Sequence, residues 1–207
     1  MNASITLDRG VLARRGQRLE YFTILWNSIE GMAALISGIL AGSVALVGFG
    51  LDSVIEVISG TALLWRLNRD FDRRQREDAE RIALRIVGVC FVALAAYIAY
   101  GALHSLLLRA APEHSLPGII VSIAALVVMP LLGYAKRDVA RQLRSAAMHS
   151  DAKQADFCMY LSAILLGGLV LNLWRGWWWA DPLAALVMVP LIVREGIDAL
   201  RGKTCCC

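Results

Sequence analysis

The stretch that decides the fold is SVALVGFGLDSVIE, residues 43–56, and a related stretch, SAAMHSDAKQADFC, occupies residues 145–158. Each stretch begins with a serine and small residues, then presents two polar, metal-competent side chains four residues apart, at the same positions in both. Because residues i and i+4 lie on one face of an α-helix, each stretch predicts a helix with two ligands on one face. Two such helices facing each other would form a four-ligand site inside a membrane. The predicted ligands are Asp52 and Glu56 in the first stretch, and Gln154 and Cys158 in the second.

The composition is typical of a polytopic membrane protein. The 207 residues are 58% hydrophobic, with a mean hydropathy of +0.59, whereas soluble domains average about 45–50% apolar residues. The excess lies in blocks of the roughly 20 residues that a membrane-spanning helix needs. We therefore predict one all-α membrane domain, with no nucleic-acid partner. The polar and basic segment of residues 1–20 lacks the apolar core of a cleavable signal peptide and is predicted to be cytosolic.

Six apolar blocks predict six transmembrane helices. Lys and Arg concentrate in cytoplasmic segments of membrane proteins. They are abundant before the first block, after the second, fourth and sixth blocks, and scarce elsewhere, so both termini are predicted to be cytoplasmic. The transmembrane domain is predicted over residues 21–200, followed by a short Cys-rich tail, 201–207. The predicted spans are residues 21–41, 43–65, 86–108, 118–134, 138–173 and 182–193.

Several boundaries of these helices depend on single residues. Pro130 is expected to kink the fourth helix. Asp181 is expected to cap the start of the sixth helix, with Pro182 at its first helical position. Residues 66–85 are predicted to form a soluble, charged connector that is helical at both ends. A second, basic connector is predicted at Lys136, Arg137, Arg141 and Arg144.

Carboxylates within the apolar blocks indicate function. An Asp at the centre of a lipid-facing helix costs about 2.5 to 3.5 kcal/mol on insertion scales, so the pair Asp52 and Glu56 must face protein, water or a cation. The alternative is a structural pair held by hydrogen bonds. Glu30 lies three residues after Asn27, on the same side of its helix. It either faces the bundle interior with a functional role or lies in water near the cytosolic end.

These features resemble the cation diffusion facilitator (cation efflux) family, over nearly all of residues 26–200. Members of that family have six spans, cytosolic termini, and a Ser-x-Ala-Leu lead-in before (His/Asp)-x-x-x-Asp in helices two and five. Here helix two has Asp52 and Glu56 at the ligand positions, and helix five has Gln154 and Cys158. The stretch GWWWADPLAAL, residues 176–186, also resembles the family's sequence at the start of helix six.

The sequence departs from the family pattern in helix five. Gln154 stands where the family has His, and an amide oxygen is a weaker ligand than imidazole. Cys158 stands where the family has Asp, and a thiolate is a softer ligand that suits Zn, Cd or Co. Asp151 or Asp156 could compensate for these changes. The fold inference is unaffected by both departures, whereas the identity of the metal stays open.

The resemblance implies a transporter that exports a divalent transition metal from the cytoplasm in exchange for protons, with zinc first and Cd, Co, Fe or Mn also considered. The alternative is a non-transporting membrane protein that binds or regulates metal. No enzyme activity and no cofactor are expected. No phosphate-binding loop of the form G-x-x-x-x-G-K-[ST] occurs in the chain, so the proton gradient is the expected energy source.

The resemblance also bears on assembly and location. The family's cytoplasmic C-terminal domain is expected to be absent, so a homodimer would form through the membrane helices. The compact chain suggests a multi-pass protein of a bacterial plasma membrane. The terminal residues Cys205, Cys206 and Cys207 could bind metal, carry a lipid or have no role.

Overall fold

The computed structural model describes the backbone of residues 2–68, 73–109, 112–143 and 146–201. Side chains are described within residues 11–62, 64, 85–109, 112–142, 148–149 and 151–201. These residues form helices and short turns, and the described ranges contain no β-strand. The helices are α1 (Asn2–Ala41), α2 (Val44–Asn68), α3 (Arg73–Leu108), α4 (Leu116–Leu143), α5 (Ala146–Arg175) and α6 (Ala180–Leu200).

The predicted all-α membrane fold is confirmed. Five helices, α1 to α5, contain segments that are long and apolar enough to cross a membrane. Helix α6 has 21 residues, about 31 Å at 1.5 Å per residue, and carries charged residues near both ends. Apolar side chains cover the outside of the bundle, as expected for a surface that contacts lipid. On α1 they form a stripe of Leu25, Ile29, Met32 and Ile36.

Helix α2 is the central helix of the bundle, since it contacts α1, α3, α5 and α6. Its contact with α1 depends on glycines that let the two backbones approach closely. A Cβ atom added at Gly50 would lie 2.9 Å from the backbone nitrogen of Leu35, and one added at Gly38 would lie 2.8 Å from that of Val47. Helix α1 is therefore held tightly against α2 in the turns that precede Asp52, the first predicted ligand.

The first turn of α2 is capped from two directions. The chain leaves α1 through Gly42, whose φ of +65° suits glycine, and the hydroxyl of Ser43 accepts a hydrogen bond from the Leu46 N–H at 3.1 Å. Asp181 accepts hydrogen bonds from the Ser43 hydroxyl at 2.5 Å and from the Val44 N–H at 3.1 Å. The serine of the lead-in is thus an N-cap, in agreement with the general preference for Ser at this position.

The predicted role of Asp181 as the cap of α6 was wrong. Helix α6 begins at Ala180, and the residue at its N-cap position, Trp179, makes no side-chain capping bond. The start of α6 packs against the start of α2, so the buried Asp181 carboxylate satisfies backbone N–H groups of the neighbouring helix instead of its own.

The predicted basic connector between the fourth and fifth spans was also wrong. Helix α4 continues without interruption through Pro130 to Leu143, and α5 begins at Ala146 rather than at Asp138. The reason is that Lys136 and Arg137 are paired with carboxylates of α5, which offsets the cost of placing their charges along the helix. Helices α1 and α6 are also longer than predicted, since α1 begins at Asn2 and α6 ends at Leu200.

Candidate metal site

Asp52, Glu56 and Cys158 lie together in the interior of the bundle. Each offers one ligand atom, a carboxylate oxygen or the thiol sulfur, and these three atoms lie within 4.8 Å of one another. All three side chains are buried, and Asp52 and Cys158 are fully inaccessible. The two carboxylates come from α2 and the thiol from α5, so the structure brings together three of the predicted ligands across one helix–helix interface.

The hydrogen bonding of the two carboxylates differs. Glu56 accepts a hydrogen bond from the side-chain amide of Asn27 on α1, with a nitrogen–oxygen distance of 2.6 Å. Neither oxygen of Asp52 has a hydrogen-bond partner within the part of the chain that the structure describes. The alternative of a purely structural pair, held by hydrogen bonds, therefore does not account for Asp52. A buried carboxylate without a partner is costly, and a bound cation would compensate for it.

Gln154 lies one turn before Cys158 on α5 and lines a small cavity that also reaches Glu56. Its side-chain oxygen accepts a hydrogen bond from the hydroxyl of Ser59 at 3.3 Å. Its side-chain nitrogen is buried and has no partner among the described residues. The Gln154 amide therefore lies next to the group of Asp52, Glu56 and Cys158, which we call the three-residue group. Its oxygen is hydrogen-bonded to Ser59 of α2.

Asp151 lines the same cavity but belongs to a buried ion-pair cluster. Lys136 of α4 pairs with Asp151 and, at 3.2 Å, with Glu20 of α1. Lys136 and Glu20 are almost completely buried. The carboxylate of Asp151 is thus already compensated by an ammonium group. Asp156, the other compensating carboxylate considered from the sequence, pairs with Arg137 at 2.5 Å near the surface.

Helix α1 contributes a row of buried polar residues, of which the sequence pattern connects Asn27 and Glu30. Their spacing of three, four and three residues places them on one face of α1, and this spacing was a usable sign of a polar interior face. Glu30 is 3% exposed, so the interpretation in which it lies in water is wrong. The row consists of Glu20, Thr23, Asn27 and Glu30.

The group of two carboxylates and one thiol suits a divalent cation. Carboxylate oxygens and a thiolate sulfur are ligands that proteins use for Zn²⁺, and the thiolate favours soft metals. The predicted cysteine tail, residues 205–207, lies outside the described residues.

A comparison with protein-family models matches residues 21–203 to the cation efflux transmembrane domain. The chain belongs to the cation efflux family. This match covers all the residues of the three-residue group and confirms the family that the two related stretches resembled. A protein of this family with at least five membrane-crossing helices is a multi-pass membrane protein.

Curated relatives of this cation efflux protein are distant in sequence. It is 26% identical to transmembrane protein 163 of Xenopus laevis over 185 residues, which is 88% of this chain and 65% of the relative. It is 25% identical to the cation-efflux pump FieF of Shewanella oneidensis over 191 residues, 90% of this chain and 63% of the relative. An uncharacterized transporter of Synechocystis is 25% identical over 168 residues, 78% of this chain and 54% of the relative. The chain thus spans less than two thirds of the length of these relatives.

Proposed function

We propose that this protein transports a divalent transition-metal cation out of the cytoplasm in exchange for protons. The observation that supports this proposal most directly is the group of Asp52, Glu56 and Cys158, whose ligand atoms lie within 4.8 Å of one another inside the bundle. The group lies within the region that matches the cation efflux domain. Sites at helix interfaces, deep in the membrane, are typical of secondary transporters.

Proton exchange follows from the chemistry of the proposed ligands. A carboxylate or a thiol must lose its proton to bind a metal, so metal and protons compete for the same atoms. When the site is exposed to one side of the membrane, a metal displaces protons. When it is exposed to the other side, protons displace the metal, and the proton gradient drives the exchange.

The ligand set favours Zn²⁺ as the first cation to test, with Cd²⁺ and Co²⁺ next, because a thiolate accompanies the carboxylates. In this proposal Gln154 adds its amide oxygen to the site by exchanging the hydrogen bond from Ser59 for a bond to the metal. Asp151 is the weaker candidate for a ligand, since Lys136 must release its carboxylate first.

Location and assembly are part of the same proposal. We infer that both termini lie in the cytoplasm from the distribution of Lys and Arg, and we propose a bacterial plasma membrane as the location. We also infer a homodimer formed through the membrane helices. Cross-linking of the reconstituted protein, followed by mass measurement, tests the dimer, and a monomer at all lipid-to-protein ratios would exclude it.

The experiment that tests transport uses the purified chain in proteoliposomes with a pH gradient. Metal flux is measured for Zn²⁺, Cd²⁺, Co²⁺, Mn²⁺ and Fe²⁺ with the wild type and with the double variant Asp52→Asn, Glu56→Gln. The matched control removes one Asp and one Glu elsewhere, with Asp138→Asn and Glu113→Gln. Glu113 is exposed, and the Asp138 side chain is 44% exposed and pairs with Arg15 at 3.2 Å.

Gradient-dependent flux in the wild type and in the control, abolished in the site variant, would support the proposal and identify the metal. Metal binding without flux, in a folded and correctly inserted sample, would contradict it. The protein would then be a membrane metal-binding or regulatory protein built on the same fold, which is the alternative that the altered residues of helix five suggested.

A further inference from the structure

Glu30 is a buried carboxylate that the proposed ligand set does not use. It is 3% exposed, and neither of its oxygens has a hydrogen-bond partner among the side chains that the structure describes. The indole N–H of Trp26, one helical turn earlier, is also buried without a hydrogen-bond partner among the described side chains. A buried carboxylate in this state requires compensation.

Close packing between α1 and α2 determines where Glu30 lies. A Cβ atom added at Gly31, the next residue, would lie 3.1 Å from the Ser53 Cβ and 3.3 Å from the Gly50 carbonyl oxygen. The two backbones are therefore almost in contact at the level of Asp52, the residue between Gly50 and Ser53 on α2 that carries the unpartnered carboxylate.

Asn27 and Glu30 accordingly lie on the side of α1 that faces the two carboxylates of α2. Asn27 donates its hydrogen bond to Glu56, and Glu30 lies three residues later on the same side of α1, next to Gly31, which packs against Gly50 and Ser53 of α2. Glu30 is thus a buried carboxylate on the side of α1 that faces the carboxylates of α2.

We propose that Glu30 is an additional anionic ligand for the transported cation, so that the site draws on α1 as well as on α2 and α5. This inference rests on the proposed function and deepens it. Two unpartnered, buried carboxylates from different helices, Glu30 and Asp52, point to a cation between them. The three flexible bonds of the glutamate side chain let its oxygens move toward a metal held by the three-residue group.

A third carboxylate changes which metals the site accepts. Carboxylate oxygens suit hard cations such as Mn²⁺, whereas thiolate sulfur suits soft cations such as Cd²⁺. Glu30 therefore contributes more to the binding of Mn²⁺ than to the binding of Cd²⁺, which the sulfur of Cys158 holds. The residue shifts the balance toward hard cations at a site that otherwise holds two carboxylates and one thiol.

The test measures binding of Mn²⁺ and Cd²⁺ to the purified full chain by competition with a fluorescent chelator. The variants are Glu30→Gln, which keeps the shape but removes the charge, and Glu30→Asp, which keeps the charge. Glu113→Gln, an exposed glutamate of the α3–α4 loop, controls for loss of one negative charge. Unfolding temperature is measured for each variant with and without metal.

We expect Glu30→Gln to weaken Mn²⁺ binding by about 10-fold or more, the loss typical for removing even an outer-shell partner of a metal, and Cd²⁺ binding by less. Glu30→Asp should recover part of the Mn²⁺ affinity. The metal-free Glu30→Gln protein should be at least as stable as the wild type, because an unpaired buried charge is removed, while its stabilisation by Mn²⁺ should fall.

Unchanged Mn²⁺ binding in Glu30→Gln would overturn the inference, and so would an equal loss for both metals with lower metal-free stability, which indicates a structural role. The double variant Asp52→Asn, Glu56→Gln separates this failure from failure of the proposed function. If that variant loses binding while Glu30→Gln does not, only the role of Glu30 is wrong. If the wild type binds neither metal, the proposed site itself is wrong.

Discussion

Asn27 donates its side-chain amide to the carboxylate of Glu56 across the interface between α1 and α2, with a nitrogen–oxygen distance of 2.6 Å. The contact fixes the orientation of a carboxylate whose other neighbours, Asp52 and Cys158, are themselves metal-competent. In metal sites, a hydrogen bond of this kind holds a ligand in place and tunes its basicity.

The first prediction concerns this hydrogen bond. Asn27→Leu removes the donor while filling a similar volume, so Glu56 loses its fixed orientation and metal affinity should fall about 10-fold. Competition with a chelator measures the change. Ser28→Ala on the next residue is the control, since the Ser28 hydroxyl is exposed and bonds only to the backbone oxygen of Ile24. Equal affinities in the two variants would show that Asn27 does not position Glu56.

The second prediction concerns the thiol. Cys158→Ser replaces the sulfur by an oxygen of similar size, so the affinity for Cd²⁺ should fall far more than the affinity for Mn²⁺. The ultraviolet charge-transfer absorption of a Cd–thiolate bond should appear with the wild type and disappear with the variant. Cys90→Ser is a matched control, since Cys90 is a partly buried free cysteine of α3. Loss of the absorption in the Cys90 variant instead would place the bound Cd²⁺ elsewhere.

The third prediction concerns the buried cation of α4. Lys136→Met leaves Asp151 and Glu20 buried without their partner, and removing one member of a buried pair costs about 3 to 5 kcal/mol. The free energy of unfolding in detergent measures this loss. Arg137→Met is the control, because the pair of Arg137 with Asp156 is partly exposed and such pairs contribute about 1 kcal/mol or less.

A rescue experiment tests the same charge effect by removing the two partners of Lys136 together with Lys136. Adding Asp151→Asn and Glu20→Gln to Lys136→Met removes all three charges and should restore much of the lost stability, because no member of this cluster is left with an unpaired charge. No recovery in the triple variant would mean that Lys136 stabilises the bundle by packing rather than by charge.

The fourth prediction concerns the contact between α1 and α2. Gly50→Ala places a methyl group 2.9 Å from the backbone nitrogen of Leu35, which forces the helices apart and should cost about 1 to 3 kcal/mol of stability. Metal affinity should fall as well, because Asn27 then no longer reaches Glu56. Gly167→Ala is the control, since a Cβ atom there meets nothing within 4 Å. It should be neutral or slightly stabilising because alanine favours helices.

The sequence was a good guide to the fold because two periodic signals agreed: long apolar blocks and pairs of polar residues four apart. The central positions of the spans were predictable for this reason. Their ends were not, because Lys136 and Arg137 look like loop residues until their partners on α5 are known. Charge alone suggests solvent, and only the three-dimensional pairing with Asp151 and Asp156 explains why α4 continues to Leu143.

The candidate site was predictable to a similar extent. Asp52, Glu56 and Cys158 followed from spacing and resemblance, and the structure brings their ligand atoms together. Their use as metal ligands remains a prediction. The position of Glu30 stayed open between the bundle interior and water, because Asn27 and Glu30 belong to no repeated motif. Their proximity to α2 depends on glycines, whose effect on the approach of two helices is visible only in the packed bundle.

The link between Ser43 and Asp181 joins residues that are 138 positions apart. During synthesis, the chain emerges from its N-terminus onward, so α2 is made and inserted long before its first turn can receive the Asp181 carboxylate. Until the last helix inserts, the backbone N–H of Val44 and the hydroxyl of Ser43 lack the Asp181 carboxylate as their hydrogen-bond acceptor. Insertion of α6 is therefore the event that completes the hydrogen bonding at the first turn of α2.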